Sequence, residues 1–362
     1  MFTLSRVKNF SRDIYFGIRK ILLLPFSLLK RVNVGIEGEI KEILFLRHDG
    51  VGDMVLSTPA FKALKLQYPN SRLTVLASER NREMILNNPY IDEVLIYKGF
   101  GWFIKEVRTK GFDMVIDGFF ANKLKNAFMS YLSGARYRLG FEKAGREIFF
   151  NVKCPPLSYE KPMIDLIMDL VEAAGGKRAG CEPEIFLTEE EKKRAFNVLS
   201  EKGIIDSLKV AIHPGAFYPI RMWPAERFGE VARWIYEEYG VKALLFGGKG
   251  EEILLNKIKD VSSDKVHVFF DFGLREFMAL LSTCDLLLCN NSGPLHIAAA
   301  LKIPTVSIVG PSPVTLWLPY GKGHTVIKRE LACRPCNRIE CNDHECMNMI
   351  TVEEVIEALR MQ

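Results

Sequence analysis

The chain has 362 residues, enough for two ordinary domains that each bury a core. Apolar residues make up 48% and charged residues 26%, which is ordinary for a globular protein. The net charge of +5 is concentrated in residues 1–31, with seven basic side chains and one acidic one. The rest of the chain is therefore nearly neutral, which excludes a general nucleic-acid binder.

Residues 1–40 form a basic N-terminal extension. Val7, Phe10, Ile14 and Ile18 are spaced by threes and fours, as on one face of a helix. The run "ILLLPFSLL" is shorter than the about 20 apolar residues of a membrane span, and no signal-peptide cleavage site follows. We interpret residues 1–31 as an amphipathic helix that lies on an anionic membrane surface, on the cytoplasmic side. The alternative is a helix packed on the body of the protein.

Residues 41–180 alternate between apolar runs and helical patterns. The runs "EILFLR", "RLTVLA", "EVLIY" and "DMVID" predict buried strands, and a helix is expected from about Met54 to Tyr68. Continuous aliphatic strands separated by helices indicate a parallel sheet that is covered on both faces.

Residues 181–350 repeat the alternation, and residues 351–362 predict a last helix. Strands are expected at "KVAIHPGA", "KALLFGG", "KVHVFF", "LLLCN" and "TVSIVG". The sequence thus predicts an α/β protein with two doubly wound, Rossmann-like domains that face a central cleft. Ligands of such sheets bind beyond the carboxyl ends of the strands, so the loops at those ends are the places to look for a site.

The loop "HDGVGD" follows the first strand. Gly50 and Gly52 permit a positive φ or a close approach of another backbone. The spacing is neither that of a dinucleotide-binding fingerprint nor that of a P-loop. Asp53 is explained equally by a role in the first turn of a helix and by a role as general base on a substrate hydroxyl.

The loop "HPGAFYPIRMWP" follows the first strand of the second block. Gly215 and Ala216 leave room for a ligand, and Arg221, just before Trp223, can bind a phosphate with two hydrogen bonds. A solvated surface arginine is the alternative.

Two further loops of the second block carry candidate groups. In "LLFGGKGEE", Gly247 and Gly248 allow a ligand to approach the backbone closely. Glu251 is a candidate ligand-binding residue, and the alternative is that it only caps the helix that follows. In "CNNSGPLHIAAAL", the free N–H groups of a helix that begins near Ser292 and Gly293 form an anion site. His296 lies in its first turn and is explained by a bond to a phosphate or sugar, or by a structural role.

Four cysteines lie close together in "CRPCNRIECNDHEC". A tetrahedral zinc site is one interpretation, although the spacings are shorter than in zinc ribbons. We favour reduced thiols or one bridged pair, so no metal is assigned. The four residues are Cys333, Cys336, Cys341 and Cys346.

These stretches together, in order from about residue 42 to the C-terminus, resemble glycosyltransferase family 9, the bacterial lipopolysaccharide heptosyltransferases. The resemblance implies a GT-B fold, with the acceptor on the N-terminal domain and the nucleotide-sugar donor on the C-terminal domain. It implies inverting transfer from ADP-heptose to the lipid-anchored inner core of lipopolysaccharide, without a required metal. It also implies that the last helix crosses back to the N-terminal domain.

The resemblance assigns roles to particular residues. Asp53, preceded by Gly52, matches the catalytic base, Arg221 matches the basic residue before "WP", and Ser292 and Gly293 match the donor-phosphate loop. Asn291 departs from the aspartate that is usual in the family, which leaves the donor sugar open. The other residues that we assign to the donor are Gly215, Ala216, Trp223, Gly247, Gly248, Glu251 and His296, and those of the acceptor-side loop are Gly50, Gly52, Ser57 and Thr58. The alternatives are a family relative that uses another nucleotide sugar and a non-catalytic saccharide-binding protein.

Overall fold

The computed structural model describes residues 33–120, 122–178, 180, 182–336 and 338–362. The predicted amphipathic helix of residues 1–31 lies outside the described residues. Within this part of the chain, no helix is long and apolar enough to cross a membrane. The chain divides into two compact units, of which the second comprises Gly50–Leu56, Glu83–Asn87 and Glu182–Gln362.

The first unit is built on a parallel sheet with the order β3-β2-β1-β4-β5. Its first four strands are the four that the apolar runs predict. The strands are β1 (Glu42–Leu46), β2 (Arg72–Ala77), β3 (Glu93–Ile96), β4 (Met114–Asp117) and β5 (Tyr137–Gly140).

The second unit has a parallel sheet with the order β11-β10-β9-β6-β7-β8. In both sheets the order reverses in the middle, which confirms the predicted doubly wound arrangement. The strands are β6 (Val210–His213), β7 (Ala243–Gly247), β8 (Val266–Phe270), β9 (Leu286–Asn290), β10 (Thr305–Val309) and β11 (His324–Lys328).

Helices cover the sheets, and their bounds follow in chain order. They are α1 (Val51–Val55), α2 (Thr58–Gln67), α3 (Leu124–Leu132), α4 (Met163–Ala173), α5 (Glu189–Glu201), α6 (Ala225–Tyr239), α7 (Glu252–Val261), α8 (Leu274–Leu281), α9 (Gly293–Ala300), α10 (Glu345–Asn348) and α11 (Val352–Arg360). Shorter helical turns lie at Arg82–Ile85, Phe100–Trp102, Phe103–Val107, Arg108–Lys110, Arg146–Phe149, Pro219–Arg221 and Thr315–Trp317.

The single helix expected from about Met54 to Tyr68 is in fact two helices, α1 and α2. Pro59 lies in the first turn of α2, where its missing N–H is not needed. A helix continuing through Pro59 would lose one hydrogen bond and bring the proline ring against the carbonyl group of Val55. The break leaves α1 as a short separate helix that belongs to the second unit, although it follows β1 of the first.

The segment Glu83–Asn87 also belongs to the second unit. Its link is Arg275, whose guanidinium donates to the carbonyl oxygen of Glu83 at 3.0 Å. The same guanidinium binds the carboxylate of Glu191 at 2.7 Å and lowers the pKa of that carboxyl group to about 2. Both segments fall within the range 41–180 that the sequence assigned to the first domain.

The C-terminal helix α11 packs on its own unit. Val355, Ala358 and Leu359 are buried in the same apolar cluster as Trp223 and Val306 of the second unit. The apolar face of α11 is therefore used within this unit, and the return of the helix to the first domain stays a prediction.

Candidate active site

Asp53 lies in the first turn of α1, just beyond the carboxyl end of β1. Gly50 precedes this helix with φ −79° and ψ 159°, so its backbone is extended and a positive φ is not the reason for a glycine. A Cβ atom at Gly50 would collide with the carboxylate of Asp53. Gly50 therefore lets the carboxylate fold back over the start of the helix, where the helix dipole favours negative charge.

Gly52 provides the close approach between α1 and α9. A Cβ atom at this position would lie 2.8 Å from Cδ2 of His296. On the other side of the contact, a Cβ atom at Gly293 would lie 3.4 Å from Cγ1 of Val51. The two glycines let the helices pack closely within the second unit. Of the two readings that the sequence left open for Gly52, the structure shows the close approach.

The carboxylate of Asp53 acts electrostatically on two groups of the second unit. His296 is 4% exposed, and burial lowers its pKa to about 4, with Asp53 acting in the opposite direction and His324 adding to the lowering. The imidazole is therefore neutral at pH 7, and its Nδ1 is buried without a hydrogen-bond partner in the described structure.

Arg221 is the second group on which the charge of Asp53 acts. It ends the helical turn Pro219–Arg221, and its guanidinium lies 5.1 Å from the centre of the Tyr218 ring. Burial lowers the pKa of Arg221, whereas Tyr218 and Asp53 raise it. Because the ordinary pKa of arginine is far above 7, the group keeps its positive charge. A carboxylate, a neutral imidazole and a guanidinium thus come together from three separate segments.

The loop after β6 is held by Glu251 and Asn290. A Cβ atom at Gly215 would collide with the carboxylate of Glu251, which also accepts a hydrogen bond from the N–H of Gly248 at 2.8 Å. The carboxylate therefore closes the turn after β7 against the loop after β6. Ala216, next to Gly215, is half-buried.

Two other predicted donor residues have roles in packing. Trp223 is 1% exposed, and its indole N–H donates to the carbonyl oxygen of Ile350 at 3.0 Å. A Cβ atom at Gly247 would lie 2.6 Å from a methyl group of Leu255, so this glycine makes room for a core side chain. These two residues support the site from inside the unit.

Asn290 is a residue that sequence reasoning missed. It is fully buried, accepts a hydrogen bond from the N–H of Trp223 at 3.0 Å and donates to the carbonyl oxygen of Pro214 at 2.6 Å. One amide side chain therefore fixes the loop after β6 relative to β9. A fully buried polar residue at the end of an apolar strand was the available signal, because such groups are nearly always hydrogen-bonded.

The loop between β9 and α9 contains the other predicted donor residues. The side-chain amide nitrogen of Asn291 donates a hydrogen bond to the carbonyl oxygen of Trp317 at 3.5 Å. The hydroxyl group of Ser292 lies 3.4 Å from the carbonyl oxygens of Gly215 and Asn290. This loop leads directly into α9. The free N–H groups at the start of that helix therefore lie beside Ser292, next to the loop after β6.

The acceptor-side residues Ser57 and Thr58 are buried at the start of α2, with exposed fractions of 0% and 2%. The carbonyl group of Ser57 accepts the N–H of Ala60 at 3.0 Å. Their position is one turn beyond Asp53 along the chain.

The four clustered cysteines are free in this structure, as are the other three described cysteines. Cys346 is buried, and burial raises the pKa of its thiol, with the other three clustered thiols acting in the same direction. Among the described residues, no group of three or more His, Cys, Asp or Glu side chains is arranged to hold a metal ion.

Solved structures show the class of fold. A glycosyltransferase of family 9 from Veillonella parvula superposes with a TM-score of 0.80 at 23% identity, covering 91% of this chain and 98% of that chain. The ADP-heptose lipopolysaccharide heptosyltransferase II of Escherichia coli superposes with a TM-score of 0.72 at 23% identity, covering 88% and 98%. The two doubly wound units therefore have the GT-B fold.

A family model and a curated relative identify the family. The model described as glycosyltransferase family 9 (heptosyltransferase) matches residues 101–346. The lipooligosaccharide heptosyltransferase 2 of Haemophilus influenzae is 26% identical over 321 residues, which cover 79% of this chain and 88% of the relative. The chain belongs to glycosyltransferase family 9 and is a glycosyltransferase. The matched range begins after the loop that holds Asp53.

Proposed function

We propose that the protein is an inverting glycosyltransferase that moves a heptose from ADP-heptose to the inner core of lipopolysaccharide. The relatives that support this proposal are named heptosyltransferases, and one is named for ADP-heptose. The acceptor is a lipid-anchored saccharide, and the enzyme works at the cytoplasmic face of the membrane. The observation that carries the proposal is that Asp53, Arg221 and His296 come together around the start of α1.

Asp53 is the catalytic base in this proposal. Its carboxylate accepts the proton of the acceptor hydroxyl group as the oxygen attacks the anomeric carbon of the donor sugar. A single displacement from the face opposite the leaving group inverts the configuration at that carbon. His296, neutral at pH 7, can exchange a hydrogen bond with substrate but contributes no charge that would hold Asp53 in a fixed ion pair.

Arg221 and the start of α9 stabilise the departing ADP. A guanidinium offers two parallel hydrogen bonds to phosphate oxygens, and a helix N-terminus offers backbone N–H groups and a favourable dipole. Both are fixed before the reaction begins, so negative charge that develops on the leaving group is stabilised without rearrangement. Protein groups supply the positive potential, and the proposal therefore includes no obligatory metal.

A panel of nucleotide sugars tests the proposal. ADP-heptose, ADP-glucose, UDP-glucose and GDP-mannose are titrated into the full-length protein by calorimetry, and each donor is then tested for transfer to a heptose-deficient lipopolysaccharide. We expect the tightest binding and the only rapid transfer with ADP-heptose, and an inverted anomeric configuration in the product by NMR. Rapid transfer from another donor, or retention of configuration, contradicts the proposal.

Asn291 favours a second candidate, a family relative that uses another nucleotide sugar. Its amide nitrogen faces the carbonyl oxygen of Trp317, where an aspartate would place one acceptor against another. If the residue selects the donor, Asn291→Asp shifts the preference among the nucleotide sugars in the panel. An unchanged preference indicates that Asn291 only fixes the loop. Binding of saccharide without turnover in any combination identifies the non-catalytic alternative.

A further inference from the structure

The carboxyl edge of the first sheet carries lysines and aromatic rings that the predicted site does not use. His48 follows β1, Tyr97 follows β3, the pair Phe119 and Phe120 follows β4, and Lys143 follows β5. Because the strands are parallel, all these residues emerge at the same edge of the sheet. Ligands of doubly wound sheets bind at this edge.

One part of the edge is a stack of rings beneath a lysine. The imidazole of His48 stacks on the ring of Tyr97 with their centres 4.2 Å apart, and the edge of Phe119 closes the other side at 4.6 Å. The ammonium group of Lys125 lies 4.8 Å from the centre of the Tyr97 ring. Burial, aided by Lys125, lowers the pKa of His48 to about 4, so the imidazole is neutral.

Two polar atoms of this stack have no partner in the described structure. They are Nδ1 of His48 and the hydroxyl group of Tyr97, both buried. A buried polar group without a hydrogen bond costs about 1–3 kcal/mol, so such groups call for a partner. Lys125 is an exposed side chain whose ammonium group lies over the ring of Tyr97, next to these two atoms in the stack.

A second cluster repeats the combination of lysine and rings in an open position. The ammonium group of Lys143 lies 4.6 Å from the ring centre of Phe120 and donates a hydrogen bond to the hydroxyl group of Tyr159. The two rings meet edge to face at 5.1 Å, and Tyr159 is 48% exposed. The consecutive residues Phe119 and Phe120 connect this cluster to the first. A cation beside one half-buried and one exposed ring is positioned to meet a negatively charged ligand that has apolar faces of its own.

The charges at this edge are unbalanced. Within the part of the chain that the structure describes, the lysines at this edge have no carboxylate within salt-bridge distance, whereas Lys110 at the opposite edge binds Glu93 at 2.8 Å. The exposed Glu142 lies beside Lys143 in the chain but does not pair with it. Among the described residues, the lysines at this edge without a carboxylate partner are Lys98, Lys123, Lys125 and Lys143.

We propose that Lys125 with Tyr97, and Lys143 with Phe120 and Tyr159, form a binding strip for negatively charged sugars of the acceptor. The rings pack against the apolar faces of the sugars, and the lysines bind their carboxylate or phosphate groups as point charges. The hydroxyl group of Tyr97 and Nδ1 of His48 form hydrogen bonds with the bound saccharide. This inference rests on the proposed function, because it names the part of the first unit that receives the acceptor.

Acceptor binding by three variants tests the strip. The variants are Lys125→Ala, Lys143→Ala and Tyr97→Phe, the last of which keeps the ring and removes only the hydroxyl group. The control is Lys265→Ala, because Lys265 also lies over a tyrosine ring, that of Tyr236 at 4.0 Å, but just before β8 of the second unit. The probe is O-deacylated, heptose-deficient lipopolysaccharide, and its Kd is measured by calorimetry beside that of ADP.

We expect each lysine variant to weaken the affinity for the probe about tenfold, as for the loss of one charge-assisted hydrogen bond. Tyr97→Phe is expected to weaken it about threefold to tenfold. The affinity for ADP stays as in the wild type, and the control binds both ligands normally. Unchanged probe affinity in both lysine variants, or an equal loss in the control, overturns the proposal.

Two modified probes identify the group that is bound. One is dephosphorylated with aqueous hydrogen fluoride, and the other has its carboxyl groups reduced to alcohols. If a lysine binds phosphate, the wild type and the variant bind the dephosphorylated probe equally, and if it binds carboxylate they bind the reduced probe equally. A lysine defect that persists on both modified probes overturns the role of charge.

The same experiment separates this inference from the proposed function. Calorimetry requires no sugar transfer, so variant-dependent binding without turnover supports the strip and contradicts the transferase assignment. Rapid transfer that is equally efficient in the wild type and all three variants supports the transferase and overturns the strip.

Discussion

Gly52 and His296 are in contact so close that any side chain at residue 52 would meet the imidazole ring. The Cβ atom of an alanine would lie 2.8 Å from Cδ2 of His296, which is 4% exposed and has the ring of Trp317 centred 6.3 Å from its own. This contact sets the distance between α1, which carries Asp53, and α9, whose start is proposed to bind phosphate. The glycine before the proposed base is therefore a packing residue whose position controls the base.

Gly52→Ala tests this relationship. Because the added methyl group has no room, we expect a loss of ~1–3 kcal/mol in the free energy of unfolding, as for overpacking of a core. The displaced α1 should also lower kcat at saturating substrate. Gly101→Ala is the control, since a Cβ atom there meets nothing within 4 Å. Urea unfolding and initial rates are the measurements, and normal values for both in Gly52→Ala would show that the helices move apart without consequence.

Asp53→Asn keeps the size of the side chain but cannot accept the proton of the acceptor. We expect a loss of about 10²–10⁴-fold in kcat with ADP affinity unchanged, the usual contribution of a general base. Asp271→Asn is the control, because Asp271 is an exposed acid of the same unit. Full activity in Asp53→Asn would leave the residue with only its role in the first turn of α1.

Arg221→Ala removes the guanidinium proposed to bind the donor phosphates. We expect ADP and the intact donor to lose a similar ~1.5–3 kcal/mol of binding free energy, because the lost hydrogen bonds are to a charged group that both share. Arg233→Ala, on the outer surface of α6, is the control. Calorimetry measures both ligands, and an unchanged Kd for ADP excludes Arg221 from the phosphate site.

His296 predicts a pH dependence of stability. Its folded-state pKa of about 4 lies below the ordinary value, so the unfolded chain takes up this proton first as the pH falls. The protonation of His296 therefore leaves the free energy of unfolding unchanged above about pH 6.5. Between about pH 6.5 and 4 it lowers that free energy by up to ~3 kcal/mol. His296→Gln should show a shallower fall over this window in urea unfolding, while His48, which has a similar shift, contributes equally to both proteins. Parallel curves for the two proteins contradict the assignment.

The strands and their parallel arrangement could be predicted because a continuous apolar run is typical of a strand that is buried on both faces of a sheet. β5 was missed because it contains Arg138, a charged residue that is buried here and donates to the carbonyl oxygens of Phe149 and Ala135 at 2.9 Å. β11 was missed because it is an edge strand with half-exposed side chains. In both cases the residue pattern is polar, and only tertiary contacts make the segment a strand.

Local patterns in the sequence suggest part of the candidate site. A loop at the carboxyl end of a strand points to Asp53, and an arginine before a buried tryptophan points to Arg221. The contact of Gly52 with His296 joins residues far apart in the chain, so no local pattern contains it. Trp223 is an example of the opposite kind, because its place in a motif suggested ligand contact whereas its ring belongs to the core.

The basic extension makes a prediction for the full chain. Each basic residue near an anionic membrane surface contributes ~1 kcal/mol, and the excess positive charge of the protein lies in residues 1–31. Deleting residues 1–32 leaves Val34, whose N–H donates to the carbonyl oxygen of Asn151 at 2.9 Å, and should give a folded protein that binds ADP. We expect the full chain to sediment with anionic vesicles at low salt and to be released in part at high salt, and the truncated chain to stay in the supernatant. Zwitterionic vesicles are the control. A truncated chain that unfolds assigns the extension to the core, and one that still sediments places the membrane contact elsewhere.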